Sequence, residues 1–309
     1  MNLRALNTAS LALLFFGLQT PAHAATCSCA GVPLLASINT SAREKGDLFF
    51  NYIAEFHQIS DLVSGSDDVP DETGRDRHTY SHVISASYAI TDQWSVSALL
   101  SYVKHFRKIG LSQIGETTSS GIGDGVILVR YSPFYITPFS RHELSLGLGL
   151  RLPIGDDDAG DGVILSEDMQ PSTGAVGEIL WATYSYAFNQ AATVEFNTSA
   201  NYTFNEENGR KYAFGNEFNF AVGMGQSIGT RFSYSAALRY RTTRPDRRFG
   251  FEIPNTGGEW LDFVPAVSFS ITDDFSFGLA GRIPAWRNLN GALQFTTSYA
   301  YSASLTYAF

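Results

Sequence analysis

The chain has 309 residues, 14% of them aromatic, and carries 30 acidic against 21 basic side chains for a net charge of −9. That balance leaves no basic stripe to neutralise phosphates, which excludes nucleic acid as a partner. Beyond residue 24 no stretch approaches the roughly 20 consecutive apolar residues of a membrane helix, so any membrane crossing has to use strands.

The first residues read as an export signal. Arg4 precedes an apolar run to Leu18, and Pro21 and the small-x-small triplet Ala22-His23-Ala24 follow. This is the layout of a secretory signal peptide spanning 1–24, with an apolar core too short to cross a bilayer. The only cysteines, Cys27 and Cys29, stand just beyond it. A Cys-x-Cys disulfide, a soft-metal pair and lipid attachment at Cys27 are the open readings. Residues 25–46 are expected to form a periplasmic tail or a small plug.

From Asp47 the sequence repeats one theme, an alternating segment of about ten residues followed by a turn or loop. "LFFNYIAEFH" sets Leu48, Phe50, Tyr52, Ala54 and Phe56 on one face and Asn51, Glu55 and His57 on the other. "YSHVISASYAI" and "WSVSALLSY" oppose aromatic or aliphatic residues to serines. "GDGVILVRY" places Asp124 and Arg130 together, opposite Ile127, Val129 and Tyr131. In "ELSLGLGLRL" five leucines alternate with Glu143, Ser145, Gly147, Gly149 and Arg151. Similar segments recur around 176–188, 192–204, 212–225, 231–241, 259–270, 275–283 and 295–309, about twelve strands in all.

Connections alternate between short turns such as "TDQ", "NQ" and "TDD" and longer polar loops at 60–77, 105–120, 153–173, 205–211, 242–258 and 284–293. Short turns on one side, long loops on the other and an even strand number predict an all-β fold, a transmembrane antiparallel up-and-down β-barrel over 47–309. In hydrocarbon every backbone N–H and C=O needs a partner, and a sheet supplies that only when it closes. The second face of each strand is small, polar or charged, which could not form a soluble core. Tyr88, Trp94, Tyr102, Tyr131, Phe188, Phe204 and Phe275 fall at strand ends, at headgroup level. The terminal strand "SYAYSASLTYAF" closes the barrel, and Phe309 reads as the insertion signal met by the barrel-assembly machinery.

The alternation sends Glu55, Asp124, Arg130, Glu143, Arg151, Glu195, Glu217, Arg239, Arg241, Asp262 and Arg282 into the lumen. They are expected to line a narrow wet pore; the alternative is that they pair across the lumen and fill it. The acidic stretch "DDDAGDGVILSED" offers Asp157, Asp161 and Asp168 at calcium-loop spacing, although Ala159 supplies no oxygen at the third position. A plain solvated loop, or one bridged by divalent ions to lipopolysaccharide, are its other readings. A lipid-facing Ser–His hydrolase site finds no support. His82 faces outward while Ser81 and Ser85 face inward, and no Gly-x-Ser-x-Gly elbow occurs.

Three stretches, "SGIGDGVILVRYSPF" at 120–134, "LGLRLPIGDDDAG" at 148–160 and "MQPSTGAVGEILWATYSYAF" at 169–188, together resemble the MetA-pathway phenol-degradation family of outer-membrane barrels. In that family a Gly-x-Gly-Asp strand, a Leu-Pro-Thr-Gly-Asp loop and a Gln-Pro-Gly-Thr-Gly strand opening follow in this order. This chain departs at Ile154 for Thr, at Ser172 for Gly and at Gly125, where a large apolar residue is common. The resemblance implies an outer-membrane transporter. The expectation is therefore a cofactor-free channel in the outer membrane, in contact with lipid and lipopolysaccharide, for passive passage of small solutes, including small aromatic or hydrophobic compounds. The alternative is a non-conducting barrel acting through its long loops as a receptor or adhesion protein. Apolar solutes have a further route, sideways through the wall near kinks such as Pro265.

Overall fold

A computed structural model of the protein describes residues 44–110, 115–137, 139–160 and 162–309. The expected signal peptide, Cys27 and Cys29 lie outside the described residues, as does nearly all of the expected tail. Twelve long strands form the wall: β1 (Leu48–Ser64), β2 (Arg75–Ala89), β3 (Trp94–Ile109), β4 (Glu116–Phe134), β5 (His142–Leu152), β6 (Gly177–Ala187), β7 (Val194–Asn205), β8 (Glu217–Ile228), β9 (Phe232–Thr243), β10 (Gly258–Ser270), β11 (Phe275–Leu289) and β12 (Gln294–Ala308). Each pairs antiparallel with its neighbour in the chain, and β12 closes on β1 from Phe49↔Ala308 to Val63↔Gln294. The all-β, up-and-down barrel expected from the alternation is what forms.

Period-two patterning decides which way each side chain points. On β5 Leu146, Leu148 and Leu150 face outward, and Leu148 is 67% exposed, while Glu143, Ser145 and Arg151 are buried inside. Exposed Ile84, Tyr88, Trp94, Leu180, Leu238, Phe269 and Leu279 belong to the same outer belt. An apolar band around a closed sheet, with polar groups turned inward, is stable only in a membrane, and this places the protein in the outer membrane. The short turns share a device. Thr91 accepts from the Trp94 amide through its hydroxyl (3.0 Å) and Thr272 from the Phe275 amide (3.0 Å), while Ile90 and Ile271 close the turns onto the carbonyls of Trp94 and Phe275.

Three expectations need correction. The strands run further on the long-loop side than the alternation suggested: β1 reaches Ser64, β2 starts at Arg75, β3 ends at Ile109 and β11 ends at Leu289. Above the membrane both faces of a strand meet water or loop, so the hydrophobic period vanishes while the backbone ladder continues. Tyr212–Ala213, expected as the start of a wall strand, instead pairs with Arg247–Arg248, which pairs in turn with Phe251–Glu252, in a small sheet on the long-loop side. The lumen is also not wholly polar. Val83, Leu99, Val126, Leu128, Ile179 and Trp181 form a buried apolar cluster inside the wall of β2–β6. Gly147 and Gly149 make room for it, because a Cβ at either position would crowd Leu128 (3.2 and 3.0 Å), and one at Gly147 would also press on the Trp181 ring (3.1 Å). The "LGLGL" pattern therefore serves packing within the lumen.

Candidate functional site

The three stretches noted in the sequence meet at one place. A bulge in β4, where the pairing skips from Leu100↔Gly125 to Tyr102↔Ile122, turns Asp124 inward. Asp124 accepts bonds from the Ser172 hydroxyl (2.5 Å), the Thr173 hydroxyl (2.6 Å) and the Thr173 amide (3.2 Å), and forms an ion pair with Arg151 (3.2 Å). Asp156 donates its amide to the Ile122 carbonyl (2.9 Å), accepts the Ile122 amide on its carboxylate (3.1 Å), and accepts the Ser172 amide on its carbonyl (3.0 Å). Glycine is required where these segments touch. A Cβ on Gly155 would fall on the Ile122 and Gly123 carbonyls, and Gly174 has a φ of +66°.

The departures from the family pattern also fit together. A Cβ on Gly125 would lie 2.8 Å from Ile154 Cδ1, so the larger Ile154 occupies space that the missing side chain leaves. Ser172 adds the hydroxyl that bonds Asp124.

The result is a loop between β5 and β6 folded into the mouth of the barrel. Glu167 and Met169 of its 3-10 turn (Glu167–Met169) and the following Gln170, Ser172 and Thr173 are buried. Gln170 closes the loop on itself, accepting the Ala159 amide (2.8 Å) and donating to the Leu165 carbonyl (2.9 Å). From the wall, Ser119 donates to the Met169 carbonyl and fully buried Arg77 binds the Asp168 carboxylate at 2.7 Å and its carbonyl. From the β7–β8 loop, Asn208 donates to the Thr173 carbonyl (3.1 Å) and Arg210 binds Glu167 (2.9 Å through Nε) and Asp157. The Glu167 bond raises the Arg210 pKa, which keeps this latch charged.

Below the loop lies a layer of charge. All eleven residues expected on the inner face turn inward, and several are brought together: Glu55 with Arg282 (2.8 Å), Asp124 with Arg151 and Glu217 with Arg241 (3.0 Å). Arg239 donates to Asn219 (3.3 Å) and stands opposite Asp262 in the β9–β10 register. Arg130 donates to Ser95 (3.1 Å) and lies over the Trp181 ring. Glu143 is buried, and Glu195 lines the chamber below. The sequence missed Arg77, assigned to a loop, and the pairing of His57 with Glu55 (2.5 Å). The signal for Arg77 was there: Arg77, Thr79 and Ser81 extend the inward set of β2 by period two.

Of the expected divalent ligands, Asp157 is engaged by Arg210 and Asp168 by Arg77, while Asp161 lies outside the described residues. Among the described residues no three His, Cys, Asp or Glu side chains converge as a metal site.

The wall itself is interrupted at one seam. β11 pairs with β12 only from Phe275↔Tyr307 to Arg282↔Ala300; above that, Ile283–Leu289 keeps its ladder to β10 and Gln294–Tyr299 its ladder to β1. Beside the seam the β10–β11 ladder skips Val264 and Pro265 against Gly281 and Arg282. A cavity of about 180 Å³ opens there, bounded on the lumen side by Glu55 and Arg239 and in the wall by Val264, Gly281 and Tyr301. It shares Ile53, Ala280 and Ser302 with a chamber of about 480 Å³ on the short-turn side, lined by serines, glycines and Thr306. Above the cavity the inner side is apolar: Ile59, Val63, Trp260, Leu289 and Phe295 are packed and buried, with Arg241 stacked on Trp260 at 4.3 Å. Arg287 spans the seam from β11, donating to the Thr297 carbonyl (3.3 Å), Asp61 (2.6 Å) and Asp68 (2.8 Å).

The sequence matches the family model "Putative MetA-pathway of phenol degradation" over residues 108–286. No curated protein matches it. Among solved structures, an outer membrane channel from Pseudomonas putida F1 is similar at a TM-score of 0.69 and 13% identity, covering 88% of this chain and 98% of that one. The beta domain of the Bordetella autotransporter BrkA is similar at 0.51 and 12% identity, covering 86% and 100%. At these identities the likeness is one of fold.

Proposed function

The chain belongs to the MetA-pathway phenol-degradation family, and on that premise we propose that it is a passive outer-membrane channel for small aromatic or other hydrophobic compounds, which pass through the wall at the β11–β12 seam. One observation carries this reading. The ladder between β11 and β12 ends at Arg282↔Ala300, beside a cavity that shares Ile53, Ala280 and Ser302 with the chamber on the short-turn side, whereas the mouth of the barrel is occupied by the latched loop. An ion or sugar would have to displace that loop to follow the axis. An apolar solute crosses the seam between Tyr301, Ile283 and the Trp260–Phe295 cluster without losing hydrogen bonds. Nothing in this route calls for energy coupling or catalysis, so transport follows the gradient.

We propose for Phe309 the role of insertion signal that the sequence suggested. Its amide donates to the Leu48 carbonyl (2.9 Å), and its exposed ring stands against Tyr307 and Phe50, on the barrel's outer rim.

The test is uptake of ring-labelled phenol by porin-deficient cells. Ala280→Trp fills the cavity, since Ala280 lines both it and the chamber on the lumen side of β11. Cells with the wild-type barrel are expected to take up phenol faster than cells without it, and cells with Ala280→Trp at the rate of cells without it. Wild-type uptake no faster than background would sink the channel reading and favour a barrel acting through its loops. Unchanged uptake in the variant would put the route elsewhere.

A further inference from the structure

A second cavity, of about 360 Å³, lies on the long-loop side above the latched loop. Its walls are Ile164 and Leu165 of the β5–β6 loop, Ile253 of the β9–β10 loop, the Tyr212 ring, and the charged Glu167, Asp168, Arg210 and Arg248. Most of this polarity is already committed. Glu167 is held by Arg210, Asp168 by Arg77 (2.7 Å) with Arg107 at 3.8 Å, and the Tyr212 hydroxyl donates to Asp246 (2.6 Å). Arg248 is different. It is exposed, no carboxylate among the described residues lies within ion-pair distance, and its guanidinium sits 5.8 Å from the Phe249 ring. The cavity thus offers an apolar floor, the Tyr212 ring and one cation with no ion-pair partner among the described residues.

We propose that this cavity is an outer docking site for small aromatic monocarboxylates, the ring lying against Ile164, Leu165 and Ile253 and the carboxylate taken by Arg248. The chemistry selects both halves of the ligand. A planar carboxylate matches the two-donor fork of a guanidinium, and the apolar floor excludes water from a ring but gains nothing from a short aliphatic acid. The held carboxylates of Glu167 and Asp168 leave the site free of net repulsion toward one negative charge, while a second would meet them. The proposal rests on the solute-channel reading above, as the site where a solute is first held.

The experiment is equilibrium binding to the refolded full-length barrel in detergent micelles, by calorimetry, with benzoate, benzyl alcohol and acetate as probes. Benzoate is expected to bind saturably, with benzyl alcohol and acetate each weaker. Arg248→Gln should weaken benzoate roughly tenfold, the loss of one charge-assisted pair, and Arg248→Lys should lose less. Arg248→Gln gives up the exposed contact with the Phe249 ring but no ion pair among the described residues, and heat-modifiable migration of each variant confirms folding. Benzoate affinity unchanged in Arg248→Gln, acetate binding as well as benzoate, or no saturable binding would each overturn the proposal. Binding is read without flux, so its failure alongside intact phenol uptake removes this site and leaves the channel standing.

Discussion

At the scale of single residues, Asp124 has the largest part. It holds the loop through Ser172 and Thr173 and neutralises Arg151, all in the barrel interior. Asp124→Ala should leave a buried guanidinium unpaired, at a cost of about 3–5 kcal/mol, and release the loop. Urea unfolding should report the loss, and planar-bilayer recordings should show intermittent openings absent from the wild type. Gly149 tests the packing side. A Cβ there would come within 2.9 Å of the Ile127 carbonyl and 3.0 Å of Leu128, so Gly149→Ala should destabilise by about 1–3 kcal/mol, read as a lower urea midpoint. Inward or outward direction was legible for every one of the eleven charged residues, because period two fixes the face of a strand. Their partners were not. Pairing depends on which strands become neighbours when the barrel closes, and Glu55 on β1 meets an arginine more than two hundred positions away, Arg282 on β11, because β12 lies between the two.

At the scale of elements, the seam between β11 and β12 is where the regular wall gives way. Pro284 brings no N–H to a ladder, the β10–β11 register shifts between Leu261 and Asp262, and Arg287 bridges the gap with a side chain in place of backbone bonds. Arg287→Ala should therefore loosen the seam and raise phenol uptake above wild type, while a slower rate would show that Arg287 shapes the route and does not restrain it. Proline and glycine near 265 and 281 hinted at this irregularity in the sequence, but a kink alone does not reveal a missing ladder. The inward loop was the least legible element. "DDDAGDGVILSED" is as polar as a solvated loop, and only the folded chain shows Asp157 and Glu167 spent on Arg210 and Asp168 on Arg77. The motifs that carried the family resemblance turn out to be the parts of this latch, which accounts for their order: strand, loop and strand opening are the three surfaces that meet at Asp124 and Asp156.

At the scale of the whole molecule, twelve strands enclose a lumen divided in two. The β2–β6 side is filled by Trp181, Leu128 and their neighbours and capped by the loop, and the remaining side holds the chamber that connects to the seam. Strand count, closure and outer belt were legible from alternation and turn spacing, since both follow from backbone satisfaction in a bilayer. Whether the lumen conducts along its axis was not, because an inward face of serine, glycine and paired charge suits a pore or a plug equally. The direct measurement is single-channel conductance of the refolded barrel beside a variant in which residues 165–175 are replaced by a short Gly-Ser linker. The wild type should be nearly silent to ions and the variant should open wide and steadily. Steady wild-type openings as large as those of the variant would show that the axis is already clear and that the loop is no plug.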